Sequence, residues 1–107
     1  MPKAKVTLSG SALRDLRGIR AWYAEEGVAD VGTRLVADIL THIEQLTDHP
    51  DSGRVVPEFQ QPFLRELIHL PFRIVYRHDP GQVRVVRIWR SERRLRLPPG
   101  VDDAPNR

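Results

Sequence analysis

Apolar residues recur along the first half of the chain at intervals of three and four, and along much of the second half at intervals of two. Ala12, Leu16, Ile19 and Tyr23, flanked by Leu13 and Trp22, form one stripe and predict a helix from about Ala12 to Glu26. Ser11 is placed to cap its start, and Gly27 stands where a left-handed residue closes a helix. Val31, Leu35, Ile39, Ile43 and Leu46, with Val36 and Leu40 beside them, predict a second helix that Asp30 caps and Pro50 stops. With so short a link the two helices turn back on each other, leaving one shared apolar face to be covered.

The cover comes from strands. Ala4–Leu8 reads as a short first strand, and "FLRELIHL", "FRIVYRHD" and "QVRVVRIWR" carry the β-branched and aromatic composition of three more. Pro71 separates the first pair of these and Asp79-Pro80-Gly81 turns the second, so the three form an antiparallel meander. Alternation sends Phe72, Ile74, Tyr76 and His78 toward the helices and leaves Arg73, Val75 and Arg77 on an open face. In the last strand Val83, Val85, Arg87 and Trp89 share one side while Arg84, Val86, Ile88 and Arg90 share the other. A bulge near Val85-Val86 or an edge position reconciles that pattern with a single core. "DSGRVVPEFQQP" is read as a loop over one end of the sheet. The predicted fold is α+β, ordered β-α-α-β-β-β: a helical hairpin packed on one face of a small, largely antiparallel sheet. Residues 1–96 make a single domain, and 97–107, rich in proline and without periodicity, are expected to be disordered.

Charge changes this picture only in its distribution. Residues 1–50 hold six basic and seven acidic side chains, whereas Arg65–Arg96 hold nine arginines against three acids and no lysine. Guanidinium groups suit bidentate contact with phosphate or carboxylate and stacking on flat rings, so a polyanion or an acidic protein is the expected partner. The chain has no cysteine, which excludes disulfides, thiolate metal sites and cysteine nucleophiles. No histidine pair has metal-ligand spacing, and neither a metal nor a cofactor is expected. No apolar run is long enough to span a membrane and no secretory signal opens the chain, so a cytoplasmic location is expected.

The segments "GRVVPEF", "LRELIHLPFRIVYR" and "VRVVRIWRSERR", following two amphipathic helices, resemble toxins of the RelE/ParE superfamily of type II toxin-antitoxin systems over roughly residues 4–95. The resemblance implies a toxin masked by a cognate antitoxin, in a heterodimer or heterotetramer, through Arg65, Arg73, Arg77, Trp89 and Arg90. For the target it implies one of two activities. RelE-like toxins cut messenger RNA on the ribosome, and Arg54, Arg65, His69, Arg73 and Arg90 are the residues that would serve here, with Glu92 and His78 as weaker acid–base candidates. ParE-like toxins inhibit DNA gyrase and so DNA replication without chemistry of their own.

RNA cleavage requires a group to take the 2′-hydroxyl proton as well as cations for the phosphorane-like transition state. "RIWRSERRL" lacks the lysine cluster, histidine or tyrosine that RelE-like nucleases commonly carry there. Gripping a protein needs only an anchoring surface, and Trp89 with Arg90, Arg93 and Arg94 has that composition. The ParE-like, gyrase-inhibiting reading is therefore favoured, with the ribosome and messenger RNA as alternative partners and a non-catalytic nucleic-acid-binding domain as a second alternative. Each residue also has a structural reading. Arg65 and Glu66 can form cross-strand ion pairs, Arg54 can satisfy loop carbonyls, Trp22 and Tyr23 fit the helical core and its rim, and His42 and His49 fit the surface.

Overall fold

A computed structural model of the chain describes residues 3–104. Strand β1 (Lys5–Leu8) leads into helix α1 (Gly10–Glu25) and helix α2 (Ala29–Glu44), which a 3₁₀ turn (Gln45–Thr47) closes. Strands β2 (Arg54–Val55), β3 (Leu64–His69), β4 (Phe72–Asp79) and β5 (Gln82–Arg90) follow, and the sheet order is β1-β5-β4-β3-β2. The meander of β3, β4 and β5 is antiparallel as expected, and β1 joins β5 in parallel. The pair Arg54–Val55, read from sequence as loop, is a short antiparallel edge strand on β3; two residues are too few to show a period.

Ser9, not Ser11, caps α1. Its Oγ accepts from the Ala12 amide at 3.0 Å and donates to the Val86 carbonyl at 3.1 Å, so the helix start is tied to the middle of β5. Gly27 takes the left-handed conformation (φ 81°) that ends a helix. Val28, not Asp30, stands at the start of α2 and makes no side-chain cap; Asp30 lies in the first turn, where its charge suits the helix dipole. The helices approach closely at Gly32, where an added Cβ would lie 2.7 Å from Tyr23 Cβ.

Ala12, Leu16, Ile19, Ile39, Ile43 and Leu46 meet Leu67, Phe72, Ile74, Tyr76, Val83 and Val85 in the main core. Four apolar residues named with the expected stripes lie outside it: Leu13, Trp22, Val31 and Leu40 are exposed. Pairing along β4 and β5 jumps between Val75–Arg87 and Tyr76–Val85, leaving Val86 as the extra residue of a bulge. The bulge lets Val83, Val85 and Ile88 all face the helices while Val86 faces away.

The other sheet face is not open. Val56, Leu64, Val75, Val86 and Leu95 form a second buried cluster there, with Phe59, Phe63, Trp89, Leu97 and Val101 packed on it. The loop after β2 and the segment after β5 fold across the sheet to make it. The C-terminal segment, expected to be disordered from residue 97, reaches Arg77: the Arg77 guanidinium donates to the carbonyls of Val101 and Asp103, both at 2.7 Å. Residues 105–107 lie outside the described residues.

Candidate functional site

The arginines of β3 and β4 are already engaged. Glu66 is 1 % exposed and directly opposite Arg54 in the β2–β3 pairing. Its carboxylate accepts from Arg54 Nε at 2.7 Å and from Arg73 at 3.1 Å. Arg73, itself only 6 % exposed, also binds Glu58, and that guanidinium holds the Glu58 carboxyl below the usual carboxylate range. A second carboxylate is needed because one buried guanidinium beside one buried carboxylate leaves donors unused; even so, Arg73 Nε has no partner. Arg65 shares its face with Tyr76, and it donates to the Gly53 carbonyl at 3.0 Å. Arg77 binds Asp79 at 2.9 Å and stacks over Phe63. The expected bare row of guanidinium groups is thus a set of internal braces.

His69 does share a face with Arg65, but that face is the helical one. Its Nδ1 lies 3.0 Å from Nδ1 of His42 on α2, and burial, aided by His69, holds the His42 imidazole below its ordinary value. Arg54 and Arg73 occupy the opposite side of the sheet, bound to carboxylates, and Arg90 pairs with Glu92 beyond the far end of β5. His78 binds Asp51 at 2.7 Å. The residues named for a nuclease are therefore not brought around one point. Among the described residues no group of three or more His, Cys, Asp or Glu could hold a metal ion.

The residues at the end of β5 do come together with α1. Strand β1 stops opposite Val85, so the remainder of β5 has a free edge, and α1 crosses it. Asp15 covers that edge: its carboxylate accepts from Arg87 Nε at 2.7 Å and Nη2 at 2.8 Å, and from the Ile88 amide at 2.9 Å. The Arg87 guanidinium lies 4.2 Å above the Trp89 ring, whose Nε1 donates to the carbonyls of Arg94 at 3.1 Å and Arg93 at 3.3 Å. Trp89 thus shapes the turn that presents Arg93 and Arg94 rather than standing free as an anchor. Arg93 and Arg94 are exposed, and Arg90 lies over the ring of Phe72 at 5.6 Å.

Between α1 and this strand end is a groove of about 450 Å³ whose walls include Arg14, Gly18, Trp22, Phe72, Arg90 and Arg93. Arg14, Gly18 and Trp22 are spaced by four and so form one stripe on α1. Gly18 leaves open space, with nothing within 4 Å of where a Cβ would stand, and Trp22 is 51 % exposed. Trp22 was expected in the core or at its rim; the arginine, glycine and tryptophan on a single line are the signal that marks a second face. The titratable side chains lining the groove are four arginines with Asp15 and Tyr23, and Asp15 is held by Arg87. Such a surface can bind carboxylates and stack on planar groups.

Residues 6–95 match the family described as the ParE toxin of the type II toxin-antitoxin system parDE. No curated protein matches. Among solved structures, the chromosomal ParDE toxin-antitoxin system of P. aeruginosa is similar with a TM-score of 0.71 at 23 % identity, covering 84 % of this chain and 98 % of that one. The RelBE2 toxin-antitoxin complex of Mycobacterium tuberculosis is similar with a TM-score of 0.61 at 17 % identity, covering 82 % and 98 % of the two chains. Both share the fold of two helices on a mostly antiparallel five-stranded sheet. With most of its length matched to the family, the chain belongs to the ParE toxins, within the RelE/ParE superfamily of type II toxin-antitoxin systems.

Proposed function

We propose that this toxin acts by gripping DNA gyrase rather than by cutting RNA, and so blocks DNA replication in the cytoplasm. The observation that carries the reading is the groove between α1 and the end of β5, lined by arginine and aromatic side chains, while the other nuclease candidates are bonded inside the fold, Arg54 and Arg73 to Glu66, Arg65 to the Gly53 carbonyl and His69 to His42. Arg90 and Arg93 supply charge for the target, Trp22 and Phe72 supply flat apolar area, and Trp89 holds the turn that carries Arg93 and Arg94. Interfaces of this composition draw most of their affinity from a few arginine and tryptophan contacts.

The same charge would receive a cognate antitoxin. Of the residues read from sequence as antitoxin-binding, Arg65, Arg73 and Arg77 are internally bonded, so the antitoxin contact falls to Arg90 and the strand end shaped by Trp89. An acidic segment that folds on binding fits that surface, pairing with Arg14, Arg90 and Arg93 and covering Trp22. Inducing the toxin alone in cells, with separate readouts of DNA synthesis and messenger RNA integrity, tests the proposal. DNA synthesis is expected to stop while messages stay intact, and loss of messages with continuing DNA synthesis would overturn it.

A further inference from the structure

At the opposite end of β5 from the groove, Lys5, Thr7, Gln82 and Arg84 enclose a smaller hollow of about 200 Å³. Strand register fixes their grouping: Lys5 lies beside Gln82 and Thr7 beside Arg84 across the parallel β1–β5 pair. The intervening Val83 and Val85 belong to the core under the helices, with Val6 and Leu8 packed against it, so alternation places all four polar residues on the face turned away from the helices. An ammonium, a guanidinium, a hydroxyl and a carboxamide can all donate hydrogen bonds into the hollow.

The hollow lies at the solvent-facing β1 edge of the sheet, and two features favour an anion there. Among the described residues, neither Lys5 nor Arg84 has a carboxylate within ion-pair distance, although the other arginines of the strands, Arg54, Arg65, Arg73, Arg77, Arg87 and Arg90, each have one. Arg84 also stands directly opposite Arg77 across the β4–β5 pair, an arrangement of like charges that destabilises a sheet. Arg77 is relieved by Asp79 and by the carbonyls of Val101 and Asp103, and Arg84 has no such relief. The carboxylate nearest in register is Asp79, opposite Gln82, and Arg77 Nε holds its oxygens.

We propose that this hollow binds a phosphate group. Lys5 and Arg84 supply the charge, with the guanidinium able to grip two phosphate oxygens, while the Thr7 hydroxyl and the Gln82 carboxamide orient the group. The phosphate is either free or part of a nucleic-acid backbone. Arg84 and Arg90 are six residues apart on β5, about 20 Å at strand spacing, so the site is separable from the groove and does not depend on the gyrase reading.

Titration of the purified toxin with inorganic phosphate, followed by backbone amide resonances at constant ionic strength, tests the site. Saturable shifts confined to Lys5–Leu8 and Gln82–Arg84 are expected. Arg84→Gln or Lys5→Gln should each weaken binding about fivefold, and the double variant should abolish the shifts while its remaining spectrum stays that of the folded toxin. Shifts that chloride reproduces, or that the variants leave unchanged, would overturn the proposal. A short DNA duplex added to the phosphate-loaded protein identifies the source. Displacement of phosphate by duplex that the same variants weaken assigns a backbone phosphate, and failure to displace it assigns a free phosphate to the same site.

Discussion

Glu66 is the side chain that joins two arginines of the sheet, Arg54 and Arg73. It is buried. Replacing it with alanine leaves a buried guanidinium with one carboxylate instead of two, and such a break costs on the order of 3 kcal/mol. Urea unfolding of Glu66→Ala should show that loss, whereas Arg54→Ala, whose side chain is largely exposed, should lose less than about 1 kcal/mol. His42 gives a pH dependence. Its folded pKa is depressed by burial, so above about 6.5 it is neutral in both folded and unfolded chains. As the pH falls from there through the depressed folded value, the unfolded chain takes up more protons and stability is lost. Unfolding midpoints should therefore fall on acidification through this window, and His42→Gln should flatten the change. An ion pair at Glu66 was legible in the sequence but its partners were not: Arg54, read as satisfying loop carbonyls, and Arg73 bind it, while Arg65 takes the loop carbonyl of Gly53. The His42–His69 contact was not legible, because it joins residues on α2 and β3 that no period links.

At the scale of elements, the helices and the meander followed from spacing, because each buries an apolar face whose period the sequence repeats; for β5 the pattern left a bulge or an edge position open, and the structure shows the bulge, with β5 between β1 and β4. The cap positions slipped by two residues because Ser9, Ser11, Val28 and Asp30 all lie next to helical turns, and tertiary bonds from Ser9 to β5 decide the first case. The second cluster was missed for another reason: its cover comes from irregular segments around Val56, Phe59, Leu97 and Val101, which carry no period. Removing residues 98–107 takes away Val101 and the two carbonyls that receive Arg77. A loss of about 1–2 kcal/mol in stability is expected, read as a lower urea midpoint. Gly53 ties the loop before β2 to the sheet, its amide donating to Tyr76 Oη at 3.0 Å. A Cβ at that position would lie 2.7 Å from the same oxygen, so Gly53→Ala should cost on the order of 2 kcal/mol.

For the whole molecule, the arginines divide by surroundings rather than by number. Those of β3 and β4 brace the sheet from within, and Arg14, Arg90 and Arg93 face solvent around the groove. Family and fold were legible because the order of elements and the strand composition were. Of the candidate site, the β5 end was legible and the α1 wall was not, since a helix that flanks a groove carries its second stripe among residues that also read as rim. Trp22→Ala combined with Arg90→Glu should fold normally yet inhibit growth far less than the unaltered toxin. The central claim is tested most directly by adding the purified toxin to gyrase, relaxed plasmid and ATP, beside a translation extract carrying a defined message. Supercoiling should stop with the unaltered toxin, persist with the Trp22→Ala/Arg90→Glu variant, and leave the message intact throughout. Unchanged supercoiling together with cleavage of the message would contradict the account.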